Sequence, residues 1–159
     1  MEQQGLTEHE LSAWRTSIRM MELLRTRIEQ QLQASSGLSN ADYTVLSVLS
    51  EAPEGRLRAY ELSQETGWEK SRLHHQLTRM LKRDLIARER CGSRGIDVVL
   101  TEKGLAAIKE AAPGHAQEVR RLFIDRLTPE ELDQMAGIAG TILDHLQADE
   151  RASHTEVPA

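Results

Sequence analysis

Apolar residues recur along the first part of the chain in steps of three and four: Leu11, Trp14, Ile18, Met21, Leu24, Ile28 and Leu32. That spacing lays one stripe along a long helix. A start signal precedes it: Thr7 stands as N-cap, Glu10 closes a capping box, and Leu6 with Leu11 forms a hydrophobic staple. Gly37 is the expected stop. A terminal helix this long has too little following chain to cover its stripe within a small lobe, so a second subunit is the expected cover. Ser39 then caps a second helix, with Asp42 in its first turn and Tyr43, Leu46 and Leu49 facing inward, ending at Pro53-Glu54-Gly55. Arg56-Leu57-Arg58-Ala59 is too short to assign.

Tyr60 to Gly67 reads as a short helix closed by glycine, and a second begins almost at once, Lys70-Ser71-Arg72-Leu73-His74-His75-Gln76-Leu77-Thr78-Arg79-Met80-Leu81. Leu73, Leu77, Met80 and Leu81 make its inner stripe, leaving Ser71, Arg72, His74, His75, Thr78 and Arg79 outside. Two helices joined by a short glycine turn, the second basic on its outer face, form a helix-turn-helix pattern. Leu85 to Arg90 and Ile96 to Leu100 read as a hairpin tipped by Cys91-Gly92-Ser93-Arg94-Gly95. Thr101-Glu102-Lys103-Gly104 opens a further helix striped by Leu105, Ile108, Ala112, Val119, Leu122 and Phe123, with a kink or break expected at Pro113-Gly114. The last helix repeats the first one's start signal: Thr128 as N-cap, Pro129 at N1, Glu131 at N3, Leu127 and Leu132 as staple. Its stripe is Leu132, Met135, Ala139, Ile142 and Leu146, after which residues 148–159 lack a pattern and are expected to fray.

Composition supports a mainly α protein. Five aromatics in 159 residues leave the core to Leu, Ile, Val, Met and Ala, which favours helix packing. A single cysteine excludes an internal disulfide framework and a cysteine-based zinc finger. The chain has no apolar run of membrane-spanning length, and Met1-Glu2-Gln3-Gln4 is not the start of a signal peptide, so a cytoplasmic protein is expected. Charge adds a direction. Although the net charge is -5, Trp68 to Arg94 holds eight Lys/Arg against three acids. Such a segregated field steers the basic segment toward a polyanion while the remainder is repelled.

The ordered set of Leu38 to Leu49, the Glu61-Leu62-Ser63 to Gly67 turn, Leu77 to Arg88 and Val98-Val99-Leu100-Thr101-Glu102-Lys103-Gly104 resembles the MarR family of bacterial transcriptional regulators over nearly the whole chain. The resemblance implies a winged helix-turn-helix with N- and C-terminal dimerisation helices and a small β-hairpin wing. Its expected divisions are 1–37 for the first dimerisation helix, 38–101 for the DNA-binding domain, 102–147 for the C-terminal dimerisation helices and 148–159 for a disordered tail. Leu11, Trp14, Leu122, Leu132, Met135, Ile142 and Leu146 are the expected dimer contacts. The implied homodimer sets two basic helices in successive major grooves of a palindromic operator, with wings in the flanking minor grooves. Two positions depart from the family pattern: Gly92 replaces an aspartate that supports the wing arginine, and Asp84 replaces a glycine after the basic helix.

Arg72, His74, His75 and Arg79 are the candidate base readers, since donors on that face reach the major-groove acceptors of guanine. His75 matches a position that is frequently a base-reading arginine in the family. Lys70 and Ser71 suit phosphate at the helix N-terminus. Arg90 is a further DNA candidate, Arg88 a candidate for phosphate or an internal ion pair, and Arg94 suits the negative potential of a narrow minor groove. Trp14, Ile18 and Tyr43 are candidates to line the effector cleft that the resemblance implies, although their spacing also fits an ordinary core. The effector expected from the resemblance is small, aromatic or acidic. Cys91, among arginines, leaves a redox-responsive regulator as an alternative, and a winged-helix module docking an acidic protein is another. No cofactor or metal is expected: adjacent His74 and His75 diverge on a helix, and no nucleophile or phosphate-loop motif suggests an enzyme.

Overall fold

A computed structural model of the chain describes residues 5–91 and 95–155, apart from the side chains of residue 91 and of residues 150–155. Thr7 and Glu10 exchange both capping bonds, and the first helix, α1, runs Glu8–Ser36 to Gly37, which takes the left-handed φ of 67°. Ser39 and Asp42 cap α2 (Asn40–Glu51) in the same way, each backbone N–H bonding the other's side chain at 2.9 Å. A 3-10 turn over Pro53–Gly55 leads into Arg56–Arg58, the first three residues of the tetrapeptide Arg56-Leu57-Arg58-Ala59 whose conformation the sequence left open. It is a strand, β1. Three residues carry no periodicity of their own, and what makes them a strand is pairing with a segment some forty positions away.

After α3 (Ala59–Thr66) and α4 (Lys70–Lys82) come β2 (Ile86–Cys91) and β3 (Gly95–Leu100). The sheet is antiparallel in the order β1-β3-β2, with Leu57 opposite Val98 and Arg88 opposite Val98 on the other side. Next follow α5 (Glu102–Leu122), a 3-10 turn over Ile124–Arg126, and α6 (Pro129–Thr155). Two expectations are corrected. Helix α5 passes through Pro113 without interruption. The Lys109 carbonyl that the proline ring deprives of a partner belongs to an exposed residue, while Ile108 and Ala111 anchor the helix in the core. Helix α6 continues to Thr155, beyond residue 147, because Gln147, Ala148, Glu150, Arg151 and Ala152 have helix propensity without needing an apolar stripe. Its start is as the sequence indicates: Thr128 N–H donates to Glu131 at 2.8 Å, and Glu131 N–H to Thr128 Oγ1 at 3.2 Å.

The chain divides into two compact units, Met1–Glu118 and Val119–Ala159. The core of the first joins Leu32 of α1, Leu46 and Leu49 of α2, Leu62 of α3, Leu77 and Met80 of α4, Val98 of β3 and Ile108 of α5. Each such side chain, once covered, contributes about 1.5–3 kcal/mol. The join between α4 and the wing is held by a set of hydrogen bonds. Asp84 N–H bonds the Leu81 carbonyl and Leu85 N–H the Met80 carbonyl, both at 3.1 Å, a Schellman end for α4. Asp84 takes φ 56°, the left-handed conformation that glycine favours, so the departure at this position leaves the helix ending in a glycine-like way. Thr101 Oγ1 then donates to the Asp84 carbonyl at 2.6 Å and accepts the Gly104 N–H at 3.0 Å, and Lys103 Nζ donates to the Arg83 carbonyl at 2.8 Å. The Thr-Glu-Lys-Gly stretch is the clasp that fastens α5 to the end of α4.

Candidate nucleic-acid interface

Helices α3 and α4 are set at their angle by Gly67, which closes α3 at φ 64°, and by Ser63, whose Oγ donates to the Trp68 carbonyl at 2.7 Å. Trp68 in turn carries Arg72: the guanidinium lies 4.4 Å above the indole ring, an arrangement that holds the charge outward and restrains its rotamers. Lys70, Ser71, Arg72, His74, His75 and Arg79 are all exposed on one side of α4. The two imidazoles sit edge to face with centroids 6.1 Å apart. Arg88 and Arg90 are exposed on β2, opposite Val98 and Ile96. Arg94, Gly92 and the Cys91 thiol lie outside the described residues.

The base of the wing has its own charged support. Asp97 on β3 is 5% exposed, with Arg56 at 3.9 Å and Arg58 at 4.0 Å from its carboxylate. Arg56 also meets Glu89 of β2 at 3.3 Å, so the ion pairs cross all three strands.

The sequence pattern misses one feature of α4. Gln76 is buried, 1% exposed, and stands in the apolar stripe where the periodicity names Leu81, which is only partly buried. Its Nε2 donates to Asp42 Oδ1 of α2 at 2.8 Å. The other oxygen of Asp42 accepts from Arg83 Nη1 at 2.6 Å, and Arg83 Nη2 reaches the Gly37 carbonyl at the end of α1 at 3.1 Å. Arg79 donates to Gln76 Oε1. A buried carboxylate thus ties the α1–α2 junction to the exposed helix, and its charge is compensated by hydrogen bonds and by Arg83. The available signal was Gln76's position: three after Leu73 and four before Met80 is a core position in a helix.

Tyr43 is half-buried and stacks on His115 of α5, ring centroids 4.0 Å apart. Next to it, Gln31 of α1 faces Gly114, where an added methyl would come within 3.1 Å of Gln31 Nε2. Gln31 Oε1 and His115 Nδ1 are buried and have no hydrogen-bond partner among the described residues. Trp14 and Ile18 are exposed on α1, roughly 22 and 17 Å along the helix axis from Glu29, which bonds the α2 start at Asn40. Within one chain the three candidate cleft residues therefore do not converge. Burial lowers the His115 imidazole from its ordinary 6.5. The unfolded chain then binds a proton the folded one resists, so this contribution is intact above about pH 6.5 and is lost as the pH falls from there toward the folded value. Thermal melts between about pH 7.5 and 5 are expected to show a stability slope that His115→Phe flattens. An unchanged slope in the variant would assign it to other groups.

A profile of the MarR family matches residues 36–95, the stretch from the end of α1 to the start of β3. The crystal structure of AbsC, a MarR family transcriptional regulator from Streptomyces coelicolor, is 41% identical with a TM-score of 0.87, covering 91% of this chain and 99% of that one. Sco3205 from the same organism, a MarR family regulator solved in complex with DNA, is 35% identical with a TM-score of 0.86, covering 89% and 94%. Bordetella bronchiseptica BpsR, whose DNA binding is regulated by 6-hydroxynicotinic acid, shares the fold at 20% identity and a TM-score of 0.71, covering 82% and 98%. A comparison with curated proteins finds no match. The chain belongs to the MarR family of transcriptional regulators, DNA-binding proteins that are not enzymes.

Proposed function

We propose that the protein is a homodimeric repressor that reads a palindromic operator through the exposed face of α4 and is released by a small aromatic or acidic effector. The observation that carries this reading is the row Lys70, Ser71, His74 and His75, exposed on the second helix of the helix-turn-helix. In that role His75 and Arg79 read base edges, Lys70 and Ser71 take phosphate, and Arg90 and Arg94 of the wing engage the flanking backbone and minor groove. Support for a homodimer is the exposure of Trp14 and Ile18 on α1 and of Ile142 and Leu146 on α6, side chains too large to be left in water without reason. Support for an effector is the Tyr43–His115 pair with the unpartnered polar atoms beside it, an aromatic wall with polar handles. That BpsR, of the same fold, has its DNA binding regulated by 6-hydroxynicotinic acid agrees with an aromatic acid as the class.

Fluorescence anisotropy on the duplex flanking the protein's own gene tests the reading. Binding is expected to weaken steeply with salt, and His75→Ala is expected to cost about 1–3 kcal/mol on that duplex with a smaller effect on a shuffled one. Salt-independent binding, or equal losses on both duplexes, would remove α4 as the reader.

A further inference from the structure

Arg79 stands on the exposed face of α4, yet it is not free to choose its pose. Its Nη2 donates to Gln76 Oε1, and Gln76 has no choice of orientation either. Asp42 Oδ1, 2.8 Å away, accepts only, so the amide must present its NH2 group there and turn its oxygen the other way. Asp42 is itself fixed by the Ser39 N–H at 2.9 Å and by Arg83 Nη1 at 2.6 Å, both on Oδ2. The hydrogen bonds are therefore donated in one direction, from the exposed Arg79 guanidinium to the buried Gln76 amide and from that amide to the buried Asp42 carboxylate. We propose that Gln76 is a positioning residue for sequence readout: without touching DNA, it holds the Arg79 guanidinium in the pose that meets a base edge.

The chemistry favours readout over affinity. An arginine spends rotamer freedom when it docks, and a side chain arranged beforehand spends less. Phosphate tolerates many approaches, whereas a bidentate contact to guanine accepts one plane. Removing the restraint therefore harms the choice between sequences more than the attraction to DNA in general. Arg72 has a separate restraint in Trp68, so the effect of Gln76 is confined to Arg79.

The inference rests on α4 reading DNA, and the experiment separates the two. A randomised duplex pool is enriched on the wild-type protein, and affinities are then measured for the enriched duplex and a shuffled one with wild type, Gln76→Met, Arg79→Ala and the double variant. Methionine keeps the length and buried volume of the side chain and removes both the acceptor for Arg79 and the donor to Asp42, whose charge Arg83 and the Ser39 N–H still meet. Gln76→Met is expected to reduce the preference for the enriched duplex roughly five- to tenfold while leaving the shuffled duplex and the salt slope unchanged. In the Arg79→Ala background the same change is expected to add nothing. Equal loss in both backgrounds, equal loss on both duplexes, or no loss would overturn the proposal. Should Gln76→Met fail to fold, Asp42→Asn keeps the side-chain shape but frees the amide to turn, and carries the same expectations. If the wild-type protein enriches no duplex, the reading of α4 itself fails and this inference with it.

Discussion

Gly104→Ala is expected to destabilise the protein by about 3 kcal/mol or more, lowering the melting midpoint by on the order of 10 °C. A Cβ built at Gly104 stands 2.0 Å from the Leu85 carbonyl oxygen, 3.0 Å from its carbon and 2.9 Å from Leu100 Cδ1. The obstacle is backbone, and backbone does not swing aside as a side chain does. Either α5 shifts or the start of β2 does. Both moves break the clasp, because the same Leu85 carbonyl accepts the Thr101 N–H at 3.3 Å and Thr101 Oγ1 holds Asp84. Each such bond contributes about 1 kcal/mol beyond the clash. The same substitution at Gly137, where a methyl meets nothing within 4 Å in a helix interior, is expected to have the opposite sign, a gain of up to about 1 kcal/mol. Thermal melts of the two variants beside wild type decide the point. A Gly104→Ala midpoint within a degree or two of wild type would mean that α5 is not held against Leu85.

The second large effect falls on assembly. Ile138, Ile142, Leu143 and Leu146 are all more than half exposed on α6, and their spacing of four, one and three keeps them on one side of the helix. In the proposed homodimer a twin covers them. Ile142→Glu with Leu146→Glu replaces four buried side chains per dimer. At no less than about 1.5 kcal/mol each, this raises the dimer dissociation constant by roughly four orders of magnitude. Glutamate is a good helix former, so helicity measured by circular dichroism is expected to be retained. Sedimentation velocity at micromolar protein should then show a dimer for wild type and a monomer for the variant. A variant that sediments with wild type, or a wild type that is already monomeric, would sink the proposed pairing.

Local chemistry made much of this fold legible. The boxes Thr7–Glu10, Ser39–Asp42 and Thr128–Glu131 are complete within four residues of chain, and each marks where its helix starts. Periodicity placed α4, and with it the exposed row from Lys70 to Arg79. What escaped depends on partners distant in sequence. Strand β1 exists because β3 pairs with it, and Gln76 is tolerated in a core stripe because Asp42, 34 residues earlier, supplies its acceptor. Pro113 escaped for another reason: a ring that costs a helix about 3 kcal/mol in isolation is carried when the turns on either side are anchored. The candidate cleft was the least legible part. Tyr43 finds its aromatic partner in His115, a residue no pattern in α5 distinguishes, whereas Trp14 lies far along α1.

Asp42 closes the start of α2 with the same carboxylate that aligns α4. Anyone seeking to retarget this scaffold to a new operator thus inherits a constraint. The reading helix is not an interchangeable cassette: a helix transplanted from a relative must bring an amide at position 76 and a guanidinium at position 83, or leave a charge stranded beneath it. Positions 70, 71, 74 and 75 are open to variation, since their side chains face water and none bears on Asp42. The alphabet available to a designer lies in those four places, and its grammar is set by a residue on another helix.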